Sequence, residues 1–178
     1  MRSRKTPLLP LGLALTFLIP AGCSDDDGGP APSAYERPEW ADYVYTPSTG
    51  LSQEQIDRFV ELNQLDTTVS PSGLVYQVLE VGSGDSVRVG DRPVFFYRAY
   101  RVDGVLVDNP NAAVSEEPED IPLDVLSEGV RLLRVGGRGV FVARPALAYG
   151  NAGFPSRGVE STTVLVYELA VVDLLDPE

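Results

Sequence analysis

An α+β fold, a half-wrapped antiparallel sheet over one short helix with an extra helix ahead of it, is what this sequence predicts. From Leu74 onward apolar residues recur at every second position in short runs broken by Gly, Asp and Pro turns, which is strand periodicity. One stretch inside that region, residues 124–133, switches to helical spacing, with Val125, Leu126, Val130 and Leu133 apolar. Ahead of the region, Leu51-Ser52-Gln53-Glu54-Gln55-Ile56 has the letters of a helix start. At 178 residues the chain has room for one compact domain with terminal extensions.

Residues 1–22 read as a signal peptide. Arg2, Arg4 and Lys5 precede an apolar run at 8–20, and Ala21-Gly22 stand before Cys23, the only cysteine. The run is too short to span a bilayer, and acidic residues follow it at once. Cys23 sits where a bacterial lipoprotein signal is cleaved and the new terminal cysteine acylated; the alternative is an ordinary signal with an incidental cysteine. Pro20 departs from the Leu such signals favour three residues before the cysteine, while Ser24-Asp25-Asp26-Asp27-Gly28-Gly29-Pro30 suits a solvated tether. The expected location is the bacterial cell envelope, lipid-anchored, facing the periplasm or the surface. Residues 23–50 then form an acidic tether, to about 34, and an extended segment. Trp40, Tyr43 and Tyr45 make that segment too aromatic for a pure tether, so it lies on the domain or binds a partner.

The pre-domain helix belongs to residues 51–66. Ser52 can cap it, Gln55 can complete a capping box and Leu51 can staple onto Ile56. Ile56, Phe59, Val60 and Asn63 share one face with Leu62 beside them, to pack on the chain's own sheet or on a second copy as a dimer. Strands follow at 74–81 and 92–102, with Asp103-Gly104 as a hairpin signal before a strand at 105–107. After the helix at 124–133 and Gly136-Gly137 comes a strand at 137–143, ended by Pro145. Residues 146–149 make a short helical turn that stops at Gly150, and Gly150, Gly153, Pro155 and Gly158 punctuate a flexible loop. The last strand, 164–174, places Leu165, Tyr167, Leu169 and Val171 on one side.

Composition narrows the chemistry. Histidine is absent, so Ser–His and Cys–His nucleophilic sites and imidazole zinc sites are excluded. With one cysteine there is no disulfide framework, and a net charge of −12 makes nucleic acid a poor partner. The sequence has no P-loop, no dinucleotide glycine fingerprint and no carboxylate pair spaced for hydrolysis. Glu116-Glu117-Pro118-Glu119-Asp120 reads as a solvated loop rather than a metal site. What remains is carboxylates, tyrosines and an apolar pocket, working without cofactor or metal.

Ala148-Tyr149-Gly150, a Gly/Pro loop and Leu165-Val166-Tyr167-Glu168 resemble the end of an FKBP-type peptidyl-prolyl cis-trans isomerase domain, whose pattern there is Ala-Tyr-Gly, a loop and Leu-Val-Phe-Glu. Earlier pieces agree in order. Ser72-Gly73-Leu74-Val75-Tyr76 with Val81-Gly82-Ser83-Gly84-Asp85 resembles the opening strand and turn, Phe96-Tyr97 with Asp103-Gly104 and Val107-Asp108 the next hairpin, and Glu128-Gly129-Val130 with Val135-Gly136 the helix and its exit. The resemblance covers residues 70–175 and implies an FKBP-like sheet and helix that act on proline-containing polypeptides.

Residue by residue, the resemblance implies that Tyr97 and Asp108 are the pocket's Tyr and Asp, and that Tyr149 is the donor to a substrate carbonyl. Val107 stands where the family usually has Phe, Val159 where it has Ile and Tyr167 where it has Phe. Leu126 takes the place of the Trp floor, and Leu123 that of an Ile whose backbone N–H contacts substrate, behind Pro122. The segment between Asp108 and the helix is shorter than the family norm. Read without the resemblance, Tyr97 and Tyr167 could be plain core aromatics and Asp108 a turn residue before Asn109-Pro110. Two functions stay open: a prolyl isomerase of exported proteins, or an FKBP-like binding or chaperone lipoprotein with weak or lost catalysis.

Overall fold

The computed structural model describes residues 35–175, so the signal peptide, Cys23 and the acidic tether lie outside the described residues. Seven strands form one sheet with every pairing antiparallel. They are β1 (Thr68–Val69), β2 (Val75–Val81), β3 (Arg92–Arg101), β4 (Leu106–Asp108), β5 (Val114–Ser115), β6 (Gly137–Ala143) and β7 (Leu165–Leu175), with helices α1 (Ser52–Leu62) and α2 (Asp124–Leu132). The order across the sheet is β1-β2-β6-β7-β3-β4, with β5 beside the other half of β3. The two long strands lie together, paired from Arg92↔Leu175 to Arg101↔Leu165. β1 and β5 have two residues each, too short to leave a periodicity in the sequence.

Alternation along these strands separates two cores. Phe95, Ala99, Phe141, Leu165, Tyr167, Leu169 and Val171 face α2, whose Val125, Leu126 and Val130 close over them. The opposite residues Val75, Val140, Val142, Val164 and Val166 face α1, which buries Ile56 and Phe59 against them. The helix thus spends Ile56 and Phe59 on its own sheet, where they are 1% and 0% exposed.

The start of α1 differs from expectation. Leu51, not Ser52, is the N-cap residue; Glu54 Oε2 accepts its backbone N–H at 3.2 Å, and Gln55 Nε2 donates to the Gly50 carbonyl at 2.9 Å. Leu51 is 72% exposed and makes no staple, and Leu62 points to solvent, 49% exposed. Gln55 is 3% exposed, with its amide on Gly50 rather than on the cap.

Residues 35–46 lie along the outer face beyond α1. The Tyr35 hydroxyl donates to Asp173 at 2.6 Å, Tyr43 packs on Phe59 with ring centroids 5.6 Å apart, and the Thr46 N–H bonds to the Val102 carbonyl at 2.7 Å. Between them Glu168 accepts the Ala41 N–H, and Arg98 donates to the Ala41 carbonyl while pairing with Glu168. Trp40 covers the Arg98 guanidinium at 5.4 Å. Of the two readings of this aromatic segment, the one in which it lies on the domain is what the described residues display.

Candidate functional site

β3 turns back through Asp103-Gly104 into β4, and a register shift between Ala99 and Tyr100 brings Asp108 opposite Ala99, within reach of Tyr97. The Tyr97 hydroxyl donates to Asp108 Oδ2 at 2.7 Å, and Asp108 Oδ1 accepts the Asn109 N–H at 2.9 Å. Asp108 is therefore both the turn residue and the partner of Tyr97. Burial, then the bond to Asp108 and its charge, push the Tyr97 phenol well above its ordinary value, so Tyr97 keeps its proton and its orientation.

Pro145 ends β6, as its missing N–H requires, and opens a 3-10 turn, Pro145–Leu147. A second turn, Gly150–Ala152, starts at the residue where the sequence reading placed the stop. Between them Tyr149 is half-buried beside the inner core. Burial first and the Asp108 charge second raise its phenol, while the Arg157 charge pulls the other way.

The loop read as flexible is closed on itself. Phe154 and Val159 exchange both backbone bonds, at 2.7 and 3.1 Å, around a 3-10 turn at Pro155–Arg157. Gly153, at φ +61°, leaves room for the Val159 carbonyl, which a Cβ there would strike. Two guanidinium groups brace this flap. Arg101 Nη1 donates to the Gly158 carbonyl at 3.1 Å, and Arg157 Nη1 donates to the Val107 carbonyl at 2.6 Å while lying 3.6 Å from Asp108 Oδ1.

The structure brings every site residue named from the sequence inside the described region to this one end of the sheet. Val107, Leu126, Val159 and Tyr167 form a floor, and Tyr97, Leu123 and Tyr149 pack partly buried around it. The floor is closed: those four residues are 1%, 4%, 2% and 0% exposed. Leu123 is the N-cap residue of α2 in extended conformation, and its carbonyl takes the Leu126 and Ser127 N–H groups; its own N–H has no partner among the described residues. Pro122 is exposed and leaves that corner extended.

Phe154 and Arg157 were missed. The Phe154 ring lies 5.1 Å from Tyr149, partly buried against the same core, with Arg157 5.8 Å over it. An aromatic among glycines and prolines was the available signal, since such a residue has no reason to sit in a purely solvated loop.

No protein-family model matches the chain. It is 35% identical over 109 residues to the FKBP-type peptidyl-prolyl cis-trans isomerase FkpA of Escherichia coli strain K12, which covers 59% of this chain and 39% of that protein. It is 26% identical over 113 residues to a probable FKBP-type isomerase of Haemophilus influenzae, covering 61% and 46%. The chain thus spans less than half the length of these relatives. The crystal structure of E. coli FkpA superposes with a TM-score of 0.62 at 29% identity, over 71% of this chain and 58% of that one. That of AtFKBP13 superposes at 0.54 and 20% identity, over 61% and 98%, a likeness of fold alone.

Proposed function

The chain belongs to the FKBP-type family, and from that premise we propose that residues 70–175 catalyse cis–trans isomerisation of Xaa-Pro bonds in exported polypeptides. Planarity of the amide sets a barrier of about 18–20 kcal/mol, because rotation breaks its resonance. The planar form is the more polarised, so transfer from water to an apolar site costs it more than it costs the twisted form. Fixed donors aimed at the flanking carbonyls then favour the twist without any nucleophile. The observation that carries the reading is the Tyr97–Asp108 bond standing beside Tyr149 at the rim of an apolar floor. Tyr149 is the donor to a carbonyl, Leu123 N–H supplies a second, and Val107, Leu126, Val159 and Tyr167 are the walls.

Protease-coupled hydrolysis of a Leu-Pro peptide tests it. Wild type should accelerate the slow phase, and Tyr149→Phe should reduce kcat/KM by less than tenfold, one neutral hydrogen bond being about 1 kcal/mol.

The closed floor supports a second reading, a binding or chaperone protein whose turnover is weak, because substrate must part Tyr149 and the flap to reach it. Anchoring belongs to the same proposal: the mature protein begins at acylated Cys23 and meets the membrane there, its residues 24–34 serving as tether. Cys23→Ser should move it to the soluble fraction. An unmodified N-terminus beyond Cys23 by mass spectrometry would remove the anchor from the account.

A further inference from the structure

Tyr167 is fully buried, and its hydroxyl has no hydrogen-bond partner among the described residues. A buried hydroxyl left unpaired costs stability, and Phe would fill the same ring volume without that cost. Its location is what makes it informative. The ring lies 6.4 Å from that of Tyr97, and the groups acting on its phenol, after burial itself, are Tyr149, Tyr97 and Asp108. The oxygen therefore ends among the polar groups of the site and not in featureless core. Among the other buried oxygens lacking a partner, Tyr43 Oη and Thr46 Oγ1 belong to the arm on the outer face, where Tyr43 lies near Glu168, Arg98 and Arg138 and away from the candidate site.

We propose that Tyr167 is a further hydroxyl donor of the site, without a well-formed partner in the free protein and completed by an acceptor on the substrate's Xaa-Pro unit. The proposal rests on the isomerase reading above. Tyr149 half covers the position: its hydroxyl acts on that of Tyr167 by charge and by a weak hydrogen bond short of normal geometry, so a substrate displacing it finds a donor without a well-formed partner. Two acceptors come with an Xaa-Pro bond. The carbonyl oxygen before the proline is there in the planar amide, and donation to it tightens binding. The prolyl nitrogen has its lone pair tied up in resonance until the bond twists, and donation to it acts only on the way over the barrier. Either way the free protein carries a cost that only substrate relieves, a pattern expected where stability and activity compete.

Tyr167→Phe in the full chain separates this from a structural role. The melting temperature should rise by about 2–4 °C, the scale of one relieved polar group in a chain of this length. At the same time kcat/KM for a Leu-Pro peptide should fall about three- to tenfold. A weakened peptide Kd, followed by NMR titration, assigns the acceptor to the carbonyl; an unchanged Kd with lowered kcat assigns it to the nitrogen. A fall in melting temperature would show that the hydroxyl has a structural partner, and unchanged Kd with unchanged kcat/KM would show that substrate does not use it; either overturns the proposal. If wild type does not accelerate exchange, the isomerase reading fails separately, and the Kd comparison alone decides the donor, equal Kd values overturning it.

Discussion

On β3, Tyr97 packs toward α2 while Arg98, one residue on, lies under Trp40 on the other face; on β7 the same single step separates Tyr167 from Glu168. The two cross-strand neighbourhoods are built from the same backbone, yet they treat polarity in opposite ways. Outside, Glu168 is 1% exposed and fully engaged, by Arg98 and by the Ala41 N–H. Inside, among the described residues, Tyr97 has one partner, while Leu123 N–H has none and the Tyr167 hydroxyl has none of normal geometry. The outer face pairs its buried charges within the chain, although Trp40 Nε1, Tyr43 Oη and Thr46 Oγ1 of the arm lack a partner among the described residues. The inner face leaves a hydroxyl and a backbone N–H open beside the residues that would meet a ligand.

The largest effect that can break this contrast is on the outer face. Glu168→Ala would leave Arg98 with its charge beneath the arm, its side chain 16% exposed, and should cost about 3–5 kcal/mol in urea unfolding. A loss under about 1 kcal/mol, the range of solvated pairs, would mean that the arm does not seal the pair. On the inner face, Leu126→Trp asks whether the floor is open. Leu126 is 4% exposed and packed, so the indole should overfill the site and lower stability by about 1–3 kcal/mol. If instead kcat/KM rises with stability unchanged, the space for a Trp floor was there and the closed floor is not a barrier.

A smaller, graded effect comes from alkali. Burial leads the causes that raise Tyr43, Tyr97 and Tyr167, and Tyr35 is pushed up to about 12, with Asp173 adding to burial. The unfolded chain ionises these phenols near pH 10 and the folded chain later, so stability should hold below pH 10 and fall as pH rises from there through the folded values. Phenolate absorbance should accordingly lag behind free tyrosine and complete with unfolding. Absorbance that follows free tyrosine in the folded protein would contradict the burial of both faces.

Much of this was legible because it is local. β6 and β7 are rich in strand-forming residues, α2 has helical spacing, and Asp108 and Tyr149 follow turns and strand ends written in Asp103-Gly104 and Pro145. The unread parts depend on distant partners. Nothing near Ala41 in sequence announces Glu168, 127 positions away, and two-residue strands such as β5 exist only because β3 offers an edge. At the cap of α1, Gln55 takes the Gly50 carbonyl and Glu54 the Leu51 N–H, one choice among several that the local letters allow. The near-complete burial of Leu126 and Val107 could not be read either, since their letters fix a volume but not whether neighbours close over it.

The most direct test of the inner face as a working site is NMR exchange spectroscopy of a Leu-Pro peptide with the intact protein, reading binding and cis–trans exchange in one sample. The account predicts that the Asp108, Leu123 and Tyr149 amides shift on titration and that exchange cross-peaks build up faster than in peptide alone. Shifts at those amides with an exchange rate equal to that of free peptide would contradict catalysis and leave an FKBP-type domain that binds prolyl segments without turning them over.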